Sequence, residues 1–382
     1  MKKRHIALIS FPRPSHVNPT LSIVSTLVRR GHRVTYTTSA KFESKVRQIG
    51  AEYICCPTFD YATLGEGAFC HLAMSTLAEV TPFYEIYMPD LIIYDIVAFA
   101  GRLLAHKWHI PAVKVSPHFS YSEAVLHEQI RDATLRDLTI SGSRKVDHFL
   151  RSHGIRSSGY MFHREELNIY PFPKDFDPNG VTADGSCLYA GRCAGEQPYY
   201  GDWRDDANDG KPVALVVSST TYIRGAEYFK MCVEALSNLP LNVVLIPGGD
   251  SQIASLLPLP QNVQHVHGTS PAKILSTASV LICTGGAMTV SEAMYHGVPL
   301  VMTSCGIPEL EGLCEMWVAL GLGIHLRAKE MNAESLRRAV LNVVGNPEIL
   351  HKVRHMQRRV QGEPGSEEVA NRIEELIERR SA

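Results

Sequence analysis

Apolar residues along this chain arrive in short blocks separated by longer amphipathic stretches. In the first half the blocks are IALISF (6–11), RVTYTTS (33–39), AEYICC (51–56), DLIIYD (90–95) and AVKVS (112–116). Between them, 18–30 and 97–108 carry apolar residues at helical spacing, as in Leu21, Val24, Leu27 and Val28. Strands that are apolar on both faces and alternate with helices predict a parallel sheet covered by helices on either side. The rhythm stops over 117–165, a long polar stretch of mostly helical pattern. It restarts with VALVVSS (213–219), NVVLIP (242–247), NVQHV (262–266), VLICT (280–284), PLVMT (299–303) and GIHL (323–326). Helices are predicted near 224–237, 286–296, 333–344, 347–360 and, after the break GEPG, 366–380.

Between the two runs lies GEQPYYGDWRDDANDGKP (195–212), rich in turn formers and the best linker in the chain. The fold class is therefore α/β, with two tandem Rossmann-like, doubly wound parallel-sheet domains. The first is assigned to 1–205 and the second to 206–365, with 366–382 a terminal helix packing back on the first domain. Ligands of such sheets bind outside the carboxyl ends of the strands, so two facing sheets frame one cleft.

Composition narrows the picture. A chain of 382 residues accommodates two ordinary domains, and 45% hydrophobic with 20% charged residues is a globular composition. The 38 basic and 39 acidic side chains nearly cancel, which gives nucleic acid or an anionic membrane no electrostatic purchase. Nine cysteines, with no C-x-x-C pair, read as buried reduced thiols. MKKRH is followed by only IALIS before Phe11-Pro12, too short for a signal sequence or a membrane span. A cytoplasmic protein is expected.

Chemistry concentrates at two turns. SFPRPSHVNPTL (10–21) lacks the G-x-G-x-x-G of dinucleotide-binding turns and instead places His16 at a strand-to-helix junction. Asn18-Pro19 reads as a helix N-cap followed by proline at the first helical position. In the second half, Gly285 and Gly286 open a helix directly after VLICT, a backbone arrangement suited to a phosphate.

The stretch TGGAMTVSEAMYHGVPLVMTSCGIPEL (284–310) resembles the donor-binding motif of family 1 glycosyltransferases, H-G-G-x-(N/G)-S-x-x-E-A-(L/M)-x-x-G-V-P. LGLG (320–323) follows at that family's spacing. PDLIIYDIVAFAGRLLAHKWHIPAVKVSP (89–117) and SHVNPTLSIVSTLVRRGHRVTY (15–36) are similar to its N-terminal domain. The pattern is most similar to the bacterial enzymes that glycosylate macrolides and other natural products. The resemblance implies the two-domain fold called GT-B and an inverting, metal-independent transfer from a UDP- or TDP-type nucleotide sugar to a hydroxyl of a small natural-product acceptor. No cofactor is implied beyond the nucleotide-sugar co-substrate, and the state is monomer or homodimer.

By that resemblance His16 is the base and Asp95, ending LIIYD, orients it. Asp95 also suits an N-cap for 97–108. Thr289 matches the phosphate-binding Ser/Thr and Glu292 the ribose-binding glutamate; a cap at the helix start is the alternative for both. Ser219 and Thr220 fall in the turn after the second domain's first strand, near the phosphates, with Ser219 in place of a glycine. Phe119 and Tyr121, with Leu126, Ile130, Phe149 and Leu150, form either an acceptor wall or ordinary helix packing.

Departures from the family pattern fall at the donor. Thr284 replaces a histidine that donates to the diphosphate, a contact whose loss costs ~3 kcal/mol unless replaced. Leu310 replaces the glutamine that reads sugar hydroxyls, while Glu309 before it is retained. GTSP (268–271) stands for the base-stacking W-x-P-Q. These point to a deoxygenated or amino sugar donor, with Arg13 supplying the missing phosphate contact. The alternatives are a catalytically altered binding or partner protein of the same fold, and a nucleotide-sugar epimerase. DFD (175–177) has the form of a metal motif, but in PFPKDFDPNG it reads as a solvated loop.

Overall fold

The computed structural model describes residues 2–56, 68–117, 144–155, 163–177, 185–193, 210–218, 225–247, 251–266, 269, 271–304, 306 and 308–381. For Ala68, Ser251, Gln252, Pro308, Glu309 and Ser381 only the backbone is described. Two compact units emerge, one comprising Met1–Gln197 with Glu363–Ala382 and the other Pro198–Gly362.

Among the described residues unit 1 is built on seven parallel strands: β1 (His5–Ile9), β2 (Arg33–Thr38), β3 (Glu52–Cys55), β4 (Leu91–Asp95), β5 (Ala112–Val115), β6 (Leu167–Tyr170) and β7 (Cys187–Tyr189). Their order is β3-β2-β1-β4-β5-β6-β7. Parallel neighbours need crossover connections, and the helices Pro14–Arg29 and Ala100–Trp108 supply two of them. On one face Ile6, Leu8, Ile93, Val113 and Ile169 pack with Leu21 and Val24 of Pro14–Arg29 and with Val369, Ile373, Leu376 and Ile377 of the helix Gly365–Ser381. On the other face Ala7, Ile9, Ile92 and Tyr94 meet Leu72, Val80 and Tyr84 of Ala68–Ile86 and Leu104 of Ala100–Trp108. The helix Gly365–Ser381 thus completes the core of unit 1. Glu374 anchors it, 2.7 Å from the Arg30 guanidinium and 2.9 Å from His32 Nε2.

Unit 2 repeats the scheme with β8 (Val213–Val217), β9 (Asn242–Ile246), β10 (Val263–His265), β11 (Ala278–Cys283), β12 (Leu300–Met302) and β13 (Gly323–His325). The order is β10-β9-β8-β11-β12-β13, again all parallel. In each sheet the strand order reverses beside the first strand, between β1 and β4 and between β8 and β11. At such a point successive crossovers depart in opposite directions and leave a crevice at the carboxyl edge.

Several elements differ from the sequence reading. The first helix starts at Pro14, not 18, because Pro14 takes the first helical position behind an extended Arg13 (φ −125°, ψ 145°). Asn18 and Pro19 therefore lie inside the helix, and Asn18 is not its cap. Strands β6 and β7 and the helices Ala68–Ile86 and Pro308–Ala319 are additional. DFD is not a solvated loop: Phe176 is fully buried, and buried Asp177 accepts a 2.6 Å hydrogen bond from Tyr189 Oη. Among the described cysteines five are buried, but Cys55 is exposed. Burial pushes the Cys193 and Cys283 thiols up to about 12. Among the described residues no helix is long and apolar enough to cross a membrane.

Candidate active site

The switch point of unit 1 brings two distant side chains together. β1 delivers the chain to Phe11, a tight turn closed by Arg13 N–H donating to the Phe11 carbonyl (2.8 Å) follows, and the helix begins. His16 occupies the third helical position. Asp95 is the last residue of β4, the strand hydrogen-bonded to β1. His16 Nδ1 and Asp95 Oδ2 are 2.7 Å apart, and both residues are buried at 6% and 2% exposure.

Asp95 divides its work. Oδ1 accepts from the Val97 N–H at 3.0 Å and its carbonyl accepts from Ala98 N–H at 2.8 Å, so the carboxylate holds the turn after β4 as well as the imidazole. The N-cap of the following helix is Phe99, not Asp95. A carboxylate only accepts, so His16 donates from Nδ1 and its neutral ring carries the lone pair on Nε2. Phe11 packs edge-on against the imidazole, with ring centroids 5.0 Å apart, and restricts its rotation. Tyr36 Oη lies 2.6 Å from Thr20 Oγ1 one turn along, and burial pushes that phenol well above its ordinary range, so it stays neutral.

The switch point of unit 2 is a glycine turn. After β11 come Thr284, Gly285 and Gly286, then the helix Ala287–His296. Gly285 has φ +86°, in the left-handed region that favours glycine, and a Cβ there would collide with Cys314 Sγ. Gly286 is the N-cap and a Cβ on it would meet open space. Among the described residues no side chain caps this helix, and no acidic residue lies in its first turn. Its leading N–H groups have no intrahelical acceptor, and the helix dipole adds positive potential there. Such a terminus accommodates an anion. Thr289 and Glu292, three apart on one helical face, are both half-buried, and neither caps the helix. Thr284 is buried at 7% exposure.

The turn is gripped from the helix Pro308–Ala319, which sequence reasoning missed. Trp317, fully buried, donates from Nε1 to the Gly285 carbonyl at 2.8 Å, and Cys314 Sγ lies 3.6 Å from the Thr284 carbonyl. Arg13 is half-buried as the N-cap of the His16 helix, its carbonyl accepting from the His16 and Val17 N–H groups. Ser219, Thr220, Phe119, Tyr121, Leu126 and Ile130, and the side chain of Glu309, lie outside the described residues. Of the suggested acceptor wall, Leu150 is fully buried in a cluster with Phe99, Leu103 and Val146, with Phe149 packed against it.

Comparison with known proteins agrees with the two-sheet fold. The family described as "Erythromycin biosynthesis protein CIII-like, C-terminal domain" matches residues 231–376. The chain is 30% identical to NDP-glycosyltransferase YjiC of Bacillus licheniformis, covering 99% of this chain and 98% of that protein. It is 28% identical to oleandomycin glycosyltransferase of Streptomyces antibioticus, covering 97% and 90%. The crystal structure of CalG4, the calicheamicin glycosyltransferase, superposes with a TM-score of 0.83 at 29% identity over the full length of both chains. Fold and relatives together define a GT-B glycosyltransferase that acts on nucleotide sugars. Within that class the chain belongs to family 1, among the macrolide and natural-product glycosyltransferases.

Proposed function

We propose that this enzyme is an inverting, metal-independent glycosyltransferase that moves a sugar from a UDP- or TDP-type donor to a hydroxyl of a small natural-product acceptor. The observation that carries the reading is the buried 2.7 Å contact between His16 Nδ1 and Asp95 Oδ2. Nε2 of His16 takes the acceptor hydroxyl proton as the acceptor oxygen attacks the anomeric carbon. The bond from that carbon to the diphosphate breaks on the opposite side, and the nucleoside diphosphate leaves with the electron pair. Asp95 fixes the tautomer and stabilises the imidazolium that forms.

The leaving charge develops against the N–H groups at the start of Ala287–His296, with Thr289 beside them and Glu292 on the ribose hydroxyls. Ser219 and Thr220 follow β8, the strand adjacent to β11, and are assigned to the same diphosphate. Arg13 takes the diphosphate contact that the family's histidine makes at position 284. No metal or other cofactor is given a role, and Phe119 and Tyr121 belong to the acceptor side.

Two variants test the assignment. Asp95→Asn retains the shape of the side chain but no longer enforces Nδ1–H, so kcat should fall by roughly 10²–10⁴ with nucleoside-diphosphate affinity unchanged. Transfer at the wild-type rate in that variant would overturn the reading. Arg13→Ala should raise the donor KM at least about tenfold or abolish transfer; unchanged donor kinetics would remove Arg13 from the site.

A further inference from the structure

A second polar group stands at the carboxyl edge of the unit 2 sheet, beyond the glycine turn. Ser304 follows β12 by two residues, His325 ends β13, and Glu311 lies in the first turn of Pro308–Ala319. Ser304 Oγ is 2.8 Å from Glu311 Oε1 and 2.8 Å from His325 Nε2, and Ser304 itself is fully buried. A serine hydroxyl has one proton, and a carboxylate only accepts. Ser304 therefore donates to Glu311 and accepts from His325 Nε2–H. The chain of bonds runs one way and fixes Glu311 as an acceptor.

Glu311 Oε2 has no hydrogen-bond or ion-pair partner among the described residues. Its charge is also unbalanced nearby. Arg327, the neighbouring guanidinium, is held by Glu315 at 3.0 Å, and burial lowers the pKa of His325 and favours its neutral form. A half-buried carboxylate with one oxygen tied down and no cation partner among the described residues is best matched by a ligand cation. The position suits a donor ligand. Glu311 is one helical turn before Cys314, roughly 5 Å along the helix, and Cys314 touches the Thr284 carbonyl at the mouth of the phosphate turn. Leu310, where the family reads sugar hydroxyls, is apolar and 6% exposed.

We infer that Glu311, held by Ser304 and His325, is the sugar-reading residue of this enzyme and selects a nucleotide sugar bearing an amino group. The inference rests on the donor site placed above at the glycine turn. Ser304 and His325 are positioning residues, since they act through Glu311.

Calorimetric binding tests it without an acceptor. The ligands are UDP, TDP, and nucleotide hexoses carrying an amine at C2, C3 or C4, each beside its hydroxyl counterpart; the proteins are the wild type, Glu311→Gln and Ser304→Ala. At least one amine-bearing donor should bind the wild type about tenfold more tightly than its counterpart. Glu311→Gln should erase that preference and leave the affinity for the free diphosphate unchanged, while Ser304→Ala should weaken it partially. The inference is overturned if no amine is preferred, or if the preference survives Glu311→Gln. A wild type that binds neither UDP nor TDP would instead overturn the donor-site reading itself, and this inference with it.

Discussion

His16 and Asp95 stand 79 positions apart and meet only because β1 and β4 are neighbours. Each was legible separately, His16 as a polar residue at a strand-to-helix junction and Asp95 as the acid ending an apolar block. Their 2.7 Å contact followed from topology rather than from either residue. Trp317 is the contrary case. A tryptophan in an apolar stretch reads as core, and its partner is a backbone carbonyl 32 positions away, which has no signature in sequence. Its indole N–H steadies the Gly285 turn, the proposed phosphate site, so Trp317→Phe, which retains the ring and removes the donor, should cost about 1 kcal/mol of that geometry. The expected outcome is roughly fivefold weaker nucleoside-diphosphate binding, with acceptor KM unmoved. Equal diphosphate affinity by calorimetry would show that the turn holds its shape without this bond.

Among the elements, the strands predicted from apolar blocks all form, with bounds that move by a residue or two; most are buried on both faces, which leaves a continuous hydrophobic trace, although Glu52 and Cys55 of β3 are exposed. The omissions have physical causes. Leu167–Tyr170 and Cys187–Tyr189 are short and interrupted by polar or small residues, so their membership in the sheet depends on neighbours. Ala68–Ile86 carries apolar residues around much of its circumference and contains Pro82, which hides the helical period.

One element also stores a charge. Tyr94, Lys114, Asn168 and Cys187 lie in register across β4, β5, β6 and β7, and Lys114 is 2% exposed, its ammonium donating to the His163 carbonyl. Burial pushes its pKa down to about 8, against an upward pull from Glu165. The unfolded chain holds that proton to roughly 10.4, so above about 8 the unfolded state binds more protons and stability rises with pH through this window. Lys114→Met should flatten the rise in denaturation free energy between about pH 8 and 10. Identical slopes in variant and wild type would show that the buried amine does not titrate there.

At the scale of the molecule, one architecture is used twice with different chemistry at the same topological position. In unit 1 the switch point carries an imidazole and a carboxylate; in unit 2 it carries glycines and a helix terminus. The division between units falls at Gln197–Pro198, within the turn-rich 195–212 stretch, and both chain ends belong to unit 1. The last helix supplies core residues such as Ile373 and Leu376 to unit 1, and the face of the sheet that it covers was not legible in its sequence. The central claim is that the unit 1 imidazole removes the acceptor proton. It is tested most directly by the single-turnover rate of sugar transfer in His16→Ala with donor saturating. The account predicts a rate reduced by roughly 10²–10⁴ with nucleoside-diphosphate affinity preserved; transfer at the wild-type rate would contradict it.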